Sequence, residues 1–310
     1  MANIKEEENT SPKNLHKLQP DACWRLIELK KNIKTLLIDK IEPKQLNQLY
    51  KTYDIIGSIA IIRVPEHLKH FNQDIATAIM TIHREIKSVW TQESSVSGDY
   101  RLRNLEFVCG KKTTKTTYKE YGCSYKTDLQ KTYFSPRLSY ERMRIAKQVQ
   151  KQETVLNMFA GVGCYSIAIA KHAEPKTVYS IDVNPSAFKY LKENIRINRV
   201  ETTVVGLQGD AKSIIQKNLK HAVDRILMPL PELAYKYLEF ALLALKPKGG
   251  WIHYYDFEHA KKNEDPIEKI TSKTSQKLSK LCSNFQVTFG RVVRTIGPRW
   301  YQLVLDIHVK

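Results

Sequence analysis

Hydrophobic positions along this chain follow two regimes, and the change falls after Ser139. Beyond it, short β-branched runs alternate with longer segments that are apolar at helical spacing. That alternation is the pattern of a parallel sheet with crossover helices. The runs predict strands over 154–158, 177–181, 203–208, 223–228 and 250–255, then over 285–294 and 299–309. Helices are expected over 139–150, 163–172, 185–197, 211–218, 232–246 and 264–282.

Before Ser139 the pattern is less regular. Trp24, Leu26, Ile27 and Leu29, then Leu36, Leu37 and Ile41, recur at helical spacing and predict one or two amphipathic helices between Ala22 and Leu49. From Tyr53 to Pro65, two β-branched runs flank Gly57-Ser58 and read as a hairpin. A helix is expected across Asn72 to Val89, and short strands within the Thr- and Tyr-rich stretch from Tyr100 to Lys131. Residues 1–20 are polar and read as a disordered leader. The division expected is a small α+β domain over 21–140 and an α/β domain over 141–310.

Charge changes this picture more than composition does. A hydrophobic share of 42% supports a packed core. Against that, 50 Lys and Arg face 32 Asp and Glu, a formal net charge of +18. Such a surplus suits a polyanionic partner, nucleic acid before an anionic membrane surface, since neutralised phosphates release counterions. No stretch approaches the ~20 apolar residues needed to span a bilayer, and the N-terminus lacks a signal peptide's apolar core. The five cysteines are scattered without a Cys-x-x-Cys pair, which argues against a zinc site and a disulfide framework and suits the cytoplasm. Lys111, Lys112, Lys115 and Lys119, interleaved with Tyr118, form a patch that can track phosphates or simply be a solvated strand face.

Chemistry is concentrated at three strand ends. Thr154 to Met158 run into Phe159-Ala160-Gly161-Val162-Gly163, and an apolar helix follows at once. Glycines there let a ligand approach a strand end and a helix N-terminus closely. Nineteen residues after Gly163 the second strand ends in Asp182-Val183, where a carboxylate can accept both hydroxyls of a ribose. The third ends in Gly209-Asp210-Ala211, with a carboxylate for an adenine amino group. Ser166 stands where a dinucleotide-binding loop has its third glycine, so the loop suits a nucleoside without phosphates. Either aspartate alone reads equally well as a helix cap.

With these residues in view the chain resembles the archaeal and eukaryotic tRNA guanine-37 N1-methyltransferases, from about Tyr53 to Lys310. The matching stretches are Tyr53 to Ile62, Tyr133-Phe134-Ser135-Pro136-Arg137-Leu138-Ser139-Tyr140-Glu141-Arg142, Met158 to Gly163, and Ile252 to Phe257. The Phe-Ser-Pro-Arg-Leu block is the most specific, and separates the family from the related aminocarboxypropyl transferases of wyosine synthesis. The resemblance implies a class I, Rossmann-like methyltransferase domain behind a small tRNA-binding domain. It implies S-adenosylmethionine as cofactor, the anticodon loop of tRNA as partner, and a monomer. It also implies that an N-terminal domain of many members is truncated or missing before residue 50.

By motif, the resemblance makes Glu141 the general base for the N1 proton and Arg101 the stabiliser of charge on O6, with Arg103 a competitor two residues on. Tyr133 would cover the cofactor and Arg137 organise its site. Two positions depart from the family. Asn157 replaces an aspartate at the end of the first strand, and Pro229 occupies the place of a base-holding asparagine, with Glu232 nearby as a substitute. These departures leave open wyosine-intermediate methylation, aminocarboxypropyl transfer, and a catalytically impaired tRNA-binding homologue.

Overall fold

The computed structural model describes residues 32–49, 52–93, 98 and 100–310. The expected leader over 1–20 and the helical stretch up to residue 31 lie outside these residues. The chain divides into two compact units, whose described parts are 32–49 with 64–85, and 52–63 with 86–310.

The first unit is helical. Helix α1 (Ile33–Leu37) is opened by a capping box in which Asn32 and Thr35 exchange side-chain-to-backbone bonds. Helix α2 (Pro43–Leu46) has proline in its first turn, and α3 spans Asn72–Ile82. Helix α1 packs against α3, and Lys40 pairs with Asp74.

The second unit carries three sheets. Strands β1 (Asp54–Ile56), β2 (Ile59–Ile62), β3 (Ser88–Gln92) and β4 (Leu105–Gly110) form a mixed sheet in chain order. The β1–β2 hairpin turns on Gly57 at φ 57°, and a Cβ there would lie 2.3 Å from the Thr117 carbonyl oxygen. Only glycine tolerates both constraints. The helix expected over 72–89 stops at Ile82, and its last residues belong to β3. That strand lies between β2 and β4 and is buried on both faces, so no alternation marks it. Strands β5 (Lys115–Glu120) and β6 (Cys123–Asp128) form a hairpin.

The large sheet is built from β7 (Thr154–Asn157), β8 (Thr177–Asp182), β9 (Val204–Gln208), β10 (Arg225–Met228), β11 (Gly250–His259), β12 (Phe285–Gly297) and β13 (Trp300–Val309). Its order is β12-β13-β11-β10-β7-β8-β9, with β13 antiparallel to both neighbours and the rest parallel. Helices α4 (Ser139–Ala146), α5 (Cys164–His172), α6 (Pro185–Asn198), α7 (Ala211–Asn218), α8 (Pro231–Ala244) and α9 (Pro266–Leu278) complete the α/β domain. The strands are apolar on both faces, as β7 and β10 show, because helices cover the sheet on either side.

Two polar links bind the β5–β6 hairpin to this domain. Asn194 and Asn198, one turn apart on α6, exchange side-chain bonds of 2.7–2.9 Å with the backbones of Lys126 and Ser124. Arg142 of α4 holds Glu120 through two bonds of 2.6 Å. No helix among the described residues is long and apolar enough to cross a membrane.

Candidate functional site

The parallel strands β10, β7, β8 and β9 end at one rim of the large sheet, where a cavity of about 560 Å³ opens. Open α/β sheets bind ligands at this carboxyl rim because loops there are free of strand pairing. Phe159, Gly161, Asp182, Val183, Asp210 and Ala211 line the cavity.

The loop after β7 is fixed from both sides. The Ala160 N–H donates to Ile181 O at 2.7 Å, and the Gly161 N–H donates to Asp182 Oδ2 at 2.6 Å. The other Asp182 oxygen accepts from the Asn184 N–H at 2.9 Å. Burial pushes the Asp182 carboxyl up, against the pull of these two N–H groups. Gly161 (φ 57°) would direct a Cβ into open space, whereas a Cβ on Gly163 (φ 96°) would lie 2.6 Å from Leu191 Cδ1. Gly161 thus faces the cavity, while Gly163 and the buried Ala160 let the loop close onto α5 and α6.

Asp210 serves both expected readings. One oxygen caps α7 through the Ser213 N–H at 3.0 Å, and the other accepts from the Tyr237 hydroxyl. Burial and that carboxylate push the Tyr237 hydroxyl up to about 12, so it stays a donor. Tyr237 also meets Phe159 edge-on, with centroids 5.3 Å apart. Tyr237 was not foreseen, since its partner lies in a different strand-end segment.

Asn157 is buried and turned inward. Its amide donates to Ser166 Oγ at 3.1 Å, and its oxygen accepts from the Phe159 N–H at 3.4 Å. The departure at 157 and the missing third glycine at 166 therefore compensate one another, tying β7 to α5.

A second group of lining residues comes from Tyr100, Arg101 and Tyr133 and from the Pro229–Leu233 turn. Arg101 is 8% exposed, with backbone φ at 54°. Its Nε stands 3.1 Å from Glu232 Oε1, but the N–H is not aligned on that oxygen and has no hydrogen-bond partner. Its guanidinium lies 4.2 Å from the Tyr133 ring centroid. Arg294 donates to the Tyr133 hydroxyl at 3.1 Å. Burial pushes that hydroxyl up, but Arg101, Arg294 and Arg103 outweigh it and hold it below the ordinary phenol range.

Several expected site residues lie off this cavity. Glu141 is 1% exposed; its oxygens accept from Arg144 at 2.8–3.1 Å and from the Tyr255 hydroxyl at 2.8 Å. Arg144 in turn holds Asp306, which His253 approaches at 2.7 Å. Arg103 does not share the setting of Arg101, because neither lies in a strand. It is bound by Asp54, Gln92 and the Phe134 carbonyl, and burial outweighs Asp54 in lowering its proton affinity. Arg137 pairs with Asp54 at 2.8 Å. Lys111, Lys112, Lys115 and Lys119 are exposed and away from the cavity. Tyr118 is on the other face of β5 from Lys115 and Lys119, packed edge-on against Phe134 at 5.1 Å, so it cannot stack a base beside them.

Among the described lining residues Arg101 is the single cation, facing the carboxylates Asp182, Asp210 and Glu232. Such a wall, with Phe159, Val183 and Met158 for apolar cover, fits an adenosyl group bearing a cationic sulfonium and lacks the cations a diphosphate needs.

A family model described as "TRM5/TYW2 methyltransferase domain" matches residues 116–286, and one described as "TYW2 N-terminal domain" matches 33–113. The latter places family sequence before residue 50, where a domain was expected to be truncated or missing. The tRNA (guanine(37)-N(1))-methyltransferase Trm5b of Pyrococcus abyssi is 41% identical over 86% of this chain and 78% of its own length. The crystal structure of Trm5b from that organism has a TM-score of 0.77, covering 87% of this chain and 78% of that one. The tRNA 4-demethylwyosine(37)-methyltransferase Taw21 of Saccharolobus solfataricus is 40% identical over 87% of this chain and 98% of its own. Pyrococcus horikoshii TYW2 in complex with MeSAdo has a TM-score of 0.72 at 26% identity, covering 91% of this chain and 99% of that one.

Proposed function

We propose that this chain, which belongs to the TRM5/TYW2 methyltransferase family, transfers a methyl group from S-adenosylmethionine to N1 of guanosine 37 in tRNA. The observation that carries the reading is one cavity joining a nucleoside loop to the Arg101–Glu232 pair. S-Adenosylmethionine supplies a methyl group on a cationic sulfur. In this reading Gly161, Phe159 and Val183 receive the adenosyl group, Asp182 the ribose, and Asp210 with Ala211 the adenine amino group. Tyr133 covers the cofactor, and Arg101 faces the target base at O6. Glu141, Arg137, Ala160 and Gly163 hold the site in shape.

Residues 21–140 then form the tRNA-binding part and 141–310 the catalytic part. Lys111, Lys112, Lys115 and Lys119 neutralise phosphates around the anticodon loop. The protein works as a cytoplasmic monomer.

A second reading, methylation of 4-demethylwyosine at the same nucleotide, is favoured by Pro229 in place of the asparagine and by the near full-length match to Taw21. One assay separates them. The protein is incubated with S-adenosylmethionine and either a G37 transcript or tRNA carrying 4-demethylwyosine, and nucleosides are identified by mass spectrometry. N1-methylguanosine from the first substrate is the expected product. Methylation of only the second selects the alternative, and no product from either refutes both.

A further inference from the structure

With guanine as the target, we infer that Glu232 reads its N1–H and N2–H edge and takes the N1 proton during transfer. This rests on the guanosine reading above. A carboxylate must do this work, and four were considered. Glu141 is enclosed by Arg144 and Tyr255 and does not reach the cavity. Asp182 has both oxygens on backbone N–H groups, and Asp210 is shared between a helix cap and the Tyr237 hydroxyl. Glu232 lines the cavity with 45% of its side chain exposed, and its partner there is Arg101.

The pair matches the base edge in kind. Guanine presents an acceptor at O6 next to donors at N1 and N2. Arg101 and Glu232 present a guanidinium next to a two-oxygen acceptor. The buried Arg101 Nε–H, lacking an aligned acceptor, is a donor left over at the cavity wall. Leaving such a group unmade costs free energy unless a ligand completes it. Pro229 and Pro231 offer no backbone N–H, so they present no competing donor to a base edge that itself donates twice.

The proton accounting is balanced. The N1–H bond breaks toward a Glu232 oxygen, and its electron pair stays on N1 to form the new N1–methyl bond. The bond from methyl to sulfur breaks with its electrons kept by sulfur. Negative charge moves from Glu232 onto the base and O6, where Arg101, no longer neutralised by its carboxylate, is placed to meet it. The exposed Glu232 then returns the proton to solvent.

Glu232→Gln, Glu232→Ala and Glu232→Asp test this in single-turnover assays on G37 and inosine-37 transcripts, alongside calorimetric binding of S-adenosylmethionine. Inosine lacks the N2 amino group. The glutamine variant should bind cofactor and melt as wild type does but react about 100-fold more slowly, the usual weight of a general base. The aspartate variant should recover part of the rate. Wild type should prefer guanosine over inosine by about 10-fold or more, and Glu232→Ala should lose that preference, since the N2 contact is one charge-assisted hydrogen bond. Wild-type rates and an unchanged guanosine preference in Glu232→Ala would overturn the role of Glu232 while leaving the methyltransferase reading intact. Loss of cofactor binding in Glu232→Gln would make it a structural residue and overturn it equally. A wild-type protein inactive on G37 overturns the parent reading instead.

Discussion

Removing the Glu141 carboxylate should cost stability before it costs chemistry. In Glu141→Ala the fully buried Tyr255 hydroxyl loses the oxygen it donates to at 2.8 Å. An orphaned buried hydroxyl costs about 1–3 kcal/mol. Arg144, 11% exposed at its side chain, also loses one of two counter-charges while keeping Asp306 at 2.6 Å. Breaking a buried ion pair outright costs about 3–5 kcal/mol, and the retained Asp306 reduces that share. A net loss of ~3 kcal/mol follows, and at about 2 °C per kcal/mol for a chain of this size the melting temperature should fall by ~6 °C. Glu141→Gln, which keeps an acceptor for Tyr255, should lose about half as much. Calorimetric melting and titration with S-adenosylmethionine give the readout, with Asp306→Asn as a companion expected to melt early by the same network. Wild-type melting and cofactor binding in Glu141→Ala, together with abolished methyl transfer, would refute the reasoning. That is the behaviour of a base standing in the cavity.

Gly163→Ala should destabilise by about 1–3 kcal/mol, seen in a thermal melt, because its methyl meets Leu191 Cδ1 at 2.6 Å in a left-handed backbone. Asp182→Asn should weaken cofactor binding about 10- to 100-fold by calorimetry, the worth of charge-assisted bonds to a ribose; unchanged affinity would remove Asp182 from that role. Stability should fall as pH drops below about 6.5. Burial holds His253 below its ordinary value, and Arg225 donates to its Nε2, so the unfolded chain takes up a proton there that the folded chain refuses. Asp306 adds a loss of the same sign below about pH 4, because, despite burial, His253 and Arg144 hold it under the usual carboxylate range. Melts from about pH 8 to pH 5 should show the first slope and a flatter one in His253→Gln; parallel slopes would exclude His253 as its source.

The α/β domain was legible because its β-branched runs and helical faces alternate without interruption from Thr154 onward. Strand β3 was not, since Ser88 to Gln92 are buried on both faces and carry no period to read. The strand-end aspartates were placed by spacing alone, because β8 and β9 neighbour β7 in the sheet. The pairing of Arg101 with Glu232 had no local signature; it follows from tertiary packing of segments far apart in the chain. Arg101 and Arg103 looked interchangeable on a strand model. They separate because the backbone turns left-handed at Arg101 and only Arg103 meets Asp54. Tyr118 was grouped with its neighbouring lysines by sequence, though strand alternation sends it to the other face.

Strand β13 is the last to leave the ribosome yet lies inside the sheet, between β11 and β12. Until it emerges, β11 presents a ten-residue apolar edge, and β12 has no strand to pair with. The nascent chain therefore carries its greatest exposure to mispairing late in synthesis, when most of the domain is already formed. Slowed translation over residues 260–300 or early termination there should yield aggregates rather than a smaller folded protein.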